Sequence, residues 1–266
     1  MAMLKDKIIF ITGASSGIGK ACAKRCAEAG ANVLLCARRM DVLNTFATQL
    51  QTEYGVEVHT FQLDVRVRDD VAEALKILPS QWKNVDVLIN NAGLAAGLDL
   101  IHEGSIQDWE DMIDTNIKGL LYVTRAILPQ MVNRNAGHII NIGSIAGHQG
   151  YPKGAVYCAT KQAVNALSNG LRLDLFGTKI RVSTVDPGAV ETNFSAVRFK
   201  GDTKRAAAVY EGMEPLKPED VADAVLYCAT RPPHVNISEV IIMPTAQAAA
   251  TMTYRQTKAD ADPKSS

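Results

Sequence analysis

The chain has 266 residues, 47% of them hydrophobic and 21% charged, a balance that suits one compact α/β domain and leaves little room for a second full-sized one. Lysine plus arginine equals aspartate plus glutamate at 28 each, so no net field favours nucleic acid or an anionic membrane, and a small-molecule partner is expected. Residues 1–7 carry no signal-peptide apolar stretch and no run approaches the roughly 20 apolar residues of a membrane span, so the expected location is the cytoplasm.

In chain order, short apolar runs alternate with longer segments of helical period. The runs lie at 7–12, 32–36, 57–62, 85–90, 138–142, 180–186 and 239–243, seven strands in all. They are largely apolar rather than alternating, as expected when helices cover both faces of a parallel sheet. The fold class is therefore α/β, a Rossmann-type doubly wound sheet in a single domain spanning 1–256. Helices are expected at 17–29 and 41–54, stopped by Gly30 and Gly55, then at 105–133. Another lies within 151–176, and a last one opens at Pro218-Glu219-Asp220, where proline and acids suit a first turn. Residues 191–215 offer no strand, only polar residues and short helical runs such as 204–212; a substrate-covering loop is expected at about 189–216. The polar stretch 257–266 is expected to be a disordered tail.

The five cysteines form no Cys-x-x-Cys pair and the five histidines no ligand spacing, so no catalytic metal is expected. Glycines 13, 17 and 19, in Thr12-Gly13-Ala14-Ser15-Ser16-Gly17-Ile18-Gly19, follow the first strand and open the first helix. Such a turn permits close backbone approach, and free amides at the helix start bind a pyrophosphate. About twenty residues on, where an acid would bind the ribose hydroxyls of NAD, stand Arg38 and Arg39. Guanidinium groups pair with a 2′-phosphate that an acid would repel, so the expected cofactor is NADP.

Tyr157 and Lys161 stand four apart on an expected helix and share a face. A free phenol titrates near pH ~10, and a neighbouring ammonium would favour its phenolate. Ser144, at the end of the fifth strand, can orient the substrate oxygen, and Asn116 can brace the long helix and hold a water beside Lys161.

The ordered set of Thr12 to Gly19, Asn90-Asn91-Ala92-Gly93, Asn116, Ser144, Tyr157, Lys161 and Pro187-Gly188 resembles the short-chain dehydrogenase/reductase family over nearly the whole chain. The resemblance implies an NADP-dependent oxidoreductase with Asn116, Ser144, Tyr157 and Lys161 as its catalytic tetrad. It implies a cofactor held by Gly13, Ser15, Ser16, Gly17, Ile18, Gly19, Arg38 and Arg39, with Asp64 and Val65 beside the adenine. It further implies that Asn91, Ala92 and Gly93 support sheet and cofactor, that Pro187, Gly188, Val190 and Thr192 approach the nicotinamide amide beside Tyr157 and Lys161, and that the protein is a homotetramer. Within the family, 193–201 and Met243-Pro244-Thr245-x-Gln247 are most similar to NADP-dependent 3-hydroxy acid (serine/allo-threonine) dehydrogenases. Substrate contacts are then expected from Ser144, Tyr157 and Arg198, whose planar fork suits a carboxylate better than Lys200. The same core motifs would serve a carbonyl reductase of 3-oxoacyl thioesters, sugars or other ketones. A non-catalytic dinucleotide sensor would instead have lost Tyr157 or Lys161, and both are present.

Overall fold

Parallel strands covered on both faces keep few polar positions, and each apolar run forms one: β1 (Ile8–Thr12), β2 (Asn32–Ala37), β3 (Val58–Gln62), β4 (Val87–Asn90), β5 (Gly137–Ile142), β6 (Ile180–Pro187) and β7 (Glu239–Ile242). The computed structural model describes residues 3–256, so the expected disordered tail lies outside the described residues. The strands hydrogen-bond in the order β3-β2-β1-β4-β5-β6-β7, every pairing parallel, which is the doubly wound sheet expected from the sequence. Chain order reverses between β1 and β4, and ligands of such sheets sit in the crevice at the carboxyl ends of the strands there.

Successive strand residues enter opposite cores. Ile9, Ile11, Val33 and Leu35 pack under α1 (Gly17–Glu28), α2 (Met40–Tyr54) and α9 (Pro218–Ala229). Phe10, Leu34, Leu88 and Ile139 pack under α3 (Arg68–Lys76) and α5 (Leu120–Arg134). A buried polar ladder crosses the second layer. Asn90 Nδ2 donates to Thr124 Oγ1 at 3.0 Å and Asn141 Oδ1 at 2.9 Å, and Asn141 Nδ2 donates to Ser168 Oγ at 2.8 Å. The ladder joins β4, β5 and α5 to α6 (Ala155–Asp174), the helix that carries Tyr157 and Lys161. Buried hydrogen bonds of this kind fix geometry because a misplaced partner is costly.

The structure corrects the expected elements in four places. The helix α3 was not expected: it buries only Val71 and Leu75, too few apolar positions for a visible stripe. The expected helix at 105–133 is α4 (Ile106–Ile113) and α5, joined by a π-helical turn at Asp114–Gly119. The helical run expected at 204–212 shortens to α8 (Thr203–Ala208), preceded in the same loop by α7 (Phe194–Arg198). The small antiparallel pair β8 (Gln247–Ala249) and β9 (Met252–Thr253) was also not expected, since its strands are too short to show a period. All five cysteines are free and buried, and among the described residues no helix is long and apolar enough to cross a membrane.

Candidate active site

The turn after β1 is built by glycines that nothing larger could replace. Gly13 and Gly17 hold positive φ of 66° and 54°, strained for any residue with a Cβ. A Cβ on Gly19 would stand 2.4 Å from Asn91 Nδ2 and 2.5 Å from Gly13 O. Helix α1 then starts with no side-chain hydrogen bond from its N-cap, Ser16, leaving amides at its positive end open to an anion. The loop after β4 is locked to this turn. Thr12 Oγ1 accepts from the amides of Asn91 and Ala92, both at 3.0 Å, and Asn91 Nδ2 donates to Thr12 O at 2.9 Å.

At the end of β2, Arg38 and Arg39 are exposed, and Arg39 Nη2 donates to Ser15 Oγ and Ser16 Oγ, each at 3.2 Å. One arginine thus lies along the rim of the glycine turn, a cationic edge where a phosphate beyond the pyrophosphate would fall. Asp64 is clasped by Arg66, at 2.7 Å between Nη2 and Oδ2, and Arg66 reaches on to Asp111 at 2.9 Å. The Arg66 hydrogen bonds hold the Asp64 carboxyl below its ordinary range, against a smaller opposing effect of burial.

Asn116 sits in the π-helical turn, 2% exposed. Its Oδ1 accepts from the Leu94 amide at 2.9 Å, while Nδ2 donates to Leu94 O at 2.8 Å and Thr160 Oγ1 at 3.0 Å. It therefore ties the loop after β4 to α6. Ser144 Oγ accepts from the Ala146 amide at 3.1 Å, and its own amide donates to Asp186 Oδ1 at 3.1 Å. Lys161 is buried, with Nζ donating to Ile142 O at 2.9 Å. Burial brings Lys161 down to about 8, and the negative charge of Asp186 opposes that fall. Burial raises the Tyr157 phenol well above its ordinary value, and the neighbouring Tyr151 adds to the rise. A hydrogen bond with Ser144 and the charge of Arg198 pull it back.

The loop after β6 closes over this centre. The Phe194 ring meets Tyr157 edge-on at 5.7 Å, and Tyr210 Oη donates to Val190 O at 2.7 Å. Arg198 donates from Nε to Gly97 O at 3.1 Å while its guanidinium carbon lies 5.7 Å from the Tyr157 ring centre and 5.4 Å from that of Tyr151. Lys200, the other candidate cation, is paired with Asp108 at 2.9 Å.

One cavity of about 540 Å³, a size suited to a cofactor and small substrate, gathers nearly all of these residues. Gly13, Ser15, Ser16, Gly17, Ile18, Arg38, Arg39, Asp64, Val65, Asn91, Ala92 and Gly93 line it, with Ser144, Tyr157, Lys161, Pro187, Gly188, Val190 and Thr192. Three expected residues stand outside its lining. Gly19 packs behind the turn against Asn91, Asn116 lies beneath the loop it braces, and Arg198 lines an adjoining cleft that also reaches Tyr157. Sequence reasoning missed Arg66, Phe194 and Val197, which also line the cavity. Arg66 carried no usable signal, because it stands in the turn after β3, where the Val67 amide donates to Asp64 O at 3.1 Å.

Comparison with known proteins agrees with this geometry. The profile of a family described as short chain dehydrogenase matches residues 7–202. The NADP-dependent 3-hydroxy acid dehydrogenase YdfG of Salmonella typhi is 50% identical over 250 residues, covering 94% of this chain and 99% of that protein. The NADP-dependent 3-hydroxy acid dehydrogenase of Schizosaccharomyces pombe is 43% identical over 257 residues, covering 96% and 99%. Among solved structures, the closed form of serine dehydrogenase complexed with NADP+ superposes with a TM-score of 0.87 at 47% identity, covering 94% of this chain and all of that one.

Proposed function

The chain belongs to the short-chain dehydrogenase family, and from that premise we propose that it oxidises the 3-hydroxyl of a short 3-hydroxy acid such as serine, allo-threonine or 3-hydroxypropionate. It is an NADP-dependent dehydrogenase acting on hydroxyl groups, as its relatives are. The glycine turn, the uncapped start of α1 and the Arg38–Arg39 rim fit that dinucleotide. When bound, NADP supplies the hydride acceptor, and NADPH the donor in reverse.

In our reading, the residues lining the cavity hold the cofactor, and Asn116, Ser144, Tyr157 and Lys161 carry the reaction without a metal. The Ser144 hydroxyl orients the substrate oxygen toward Tyr157 Oη, which takes the hydroxyl proton as the carbonyl forms. Lys161, one helical turn from Tyr157 on α6, would favour the phenolate in its charged form. Asn116 holds the loop after β4 against α6, so Tyr157 and Lys161 meet the cavity at a fixed angle, and a water beside it would connect Lys161 to solvent.

The observation that carries the substrate class is Arg198, a cation stacked beside Tyr157 while Lys200 is taken by Asp108. A carboxylate two carbons from the reacting hydroxyl would fall within reach of that guanidinium, and an entering carboxylate needs such a partner to offset its desolvation. To test this, Arg198→Met is compared with wild type on a 3-hydroxy acid and on its uncharged methyl ester. Part of the loss should be common to both, because Arg198 also acts on Tyr157. The acid should lose about ten- to a hundredfold more in kcat/KM, the scale of one charge-assisted hydrogen bond. Equal losses on acid and ester would remove Arg198 from carboxylate recognition. We further propose a cytoplasmic homotetramer of one domain, 1–256, in which 189–216 covers the substrate.

A further inference from the structure

Behind the reaction centre lies a carboxylate that the proposed mechanism leaves unused. Asp186, at the end of β6, is fully buried. Its Oδ1 accepts from the Ser144 amide at 3.1 Å, and its Oδ2 lies 3.2 Å from His148 Nε2. The approach to β5 is tight: a Cβ on Gly143 would stand 1.6 Å from Asp186 Oδ1, so glycine at that position is what lets the carboxylate reach Ser144. His148, on the turn that follows Ser144, separates the carboxylate from solvent, and Glu239 of β7 lies 3.6 Å beyond it. The turn itself is seated on α6, where Asn165 Nδ2 donates to Gly147 O at 3.3 Å. The next residues of β6, Pro187 and Gly188, line the cavity.

We propose that Asp186 is a positioning residue for the reaction, pinning the main chain of Ser144 through Oδ1 and setting its negative charge against the Lys161 ammonium. The inference rests on the dehydrogenase reading above. The ionisable side chains around Asp186 are His148 from the turn after β5, Glu239 from β7 and Lys161 from α6. Burial raises the Asp186 carboxyl, and the hydrogen bond with His148 draws it back toward ionisation. Lys161 Nζ donates to Ile142 O at 2.9 Å, one residue before the Gly143 against which Asp186 Oδ1 packs, so the carboxylate is the charge set against burial of that ammonium, with Tyr157 one turn earlier on the same helix. The carboxylate therefore serves two members of the centre through different effects. Its hydrogen bond to Ser144 survives exchange for an amide oxygen, whereas its charge does not.

That difference supplies the test. Asp186→Asn keeps shape and acceptor but removes the charge; Asp186→Ala removes both. Lysine 13Cε NMR of the protein without substrate follows the Lys161 titration directly. We expect its midpoint in Asp186→Asn to fall by about half a pH unit or more below wild type. In turnover, Asp186→Ala should lose about tenfold or more in kcat at every pH, with the KM for NADP within about threefold. Asp186→Asn should stay near wild type at low pH and lose rate only as pH rises through the lowered Lys161 midpoint. An unchanged Lys161 titration would overturn the proposal, as would equal losses in both variants across the pH range, which is the mark of a space-filling role. If the wild type oxidised no 3-hydroxy acid, the substrate reading would fail on its own, and the NMR titration would still decide the role of Asp186. The isosteric Asn variant carries that arm should Asp186→Ala fail to fold.

Discussion

We propose that the two exposed guanidinium groups at the end of β2 set the choice between dinucleotides, an effect separable from the rest of the site. Arg39 already touches Ser15 and Ser16 at the turn, and Arg38 stands beside it with no acid at the position that would bind ribose hydroxyls. Replacing both by glutamine should raise the KM for NADP by about ten- to a hundredfold and that for NAD by no more than a few-fold, because only NADP carries the 2′-phosphate. Steady-state kinetics with both cofactors checks this, and similar changes for both would make the arginines structural. At this scale much of the site was legible in the sequence. The i, i+4 spacing put Tyr157 and Lys161 on one face, and the glycine spacing marked the turn. Arg66 and Phe194 were not legible, because their place in the cavity depends on how β3 and the loop after β6 fold over it. Nor could the sequence show that Asn116 spends its amide on Leu94 and Thr160.

Strands were the clearest elements, since a run such as Ile9 to Ile11, buried on both faces, has no alternative in water. Helix α3 escaped because Arg68, Asp69, Asp70, Glu73 and Lys76 dominate it, and the π-helical turn escaped because hydrogen-bond register leaves no mark on residue type. The helices also present apolar surface that the chain does not itself cover. Ile106 on α4, Leu121 and Val132 on α5, and Leu173 on α6 are 67%, 40%, 45% and 71% exposed, and Phe176 just beyond α6 is 92% exposed. Apolar faces of that kind on long helices are where the proposed homotetramer would bury its contacts. Light scattering should then give about four times the chain mass of 28.7 kDa, and replacing Leu173 and Phe176 by glutamate should shift the protein to smaller species. A wild type that runs as a stable monomer would contradict the assembly.

For the molecule as a whole, the doubly wound order was readable from alternating runs, because a parallel sheet needs helical crossovers and a reversal places the crevice. The closure of the loop over that crevice was readable only as a length without strands. Its contacts are one inside the loop, from Tyr210 to Val190, and one to a segment far off in the chain, from Arg198 to Gly97. Together they leave Tyr157 walled by Phe194, Arg198 and the turn at Ser144, and the proposed turnover on a small hydroxy acid would depend on that one phenol. The most direct measurement is the rate of cofactor reduction on L-serine, L-allo-threonine and 3-hydroxypropionate, with NADP and with NAD, in wild type and in Tyr157→Phe. Turnover with NADP on at least one acid is expected, with kcat/KM at least about tenfold lower for NAD and a loss of about a hundredfold or more in Tyr157→Phe while NADP still binds. No turnover on any of the acids, equal use of NAD, or a Tyr157→Phe variant within a few-fold of wild type would contradict it.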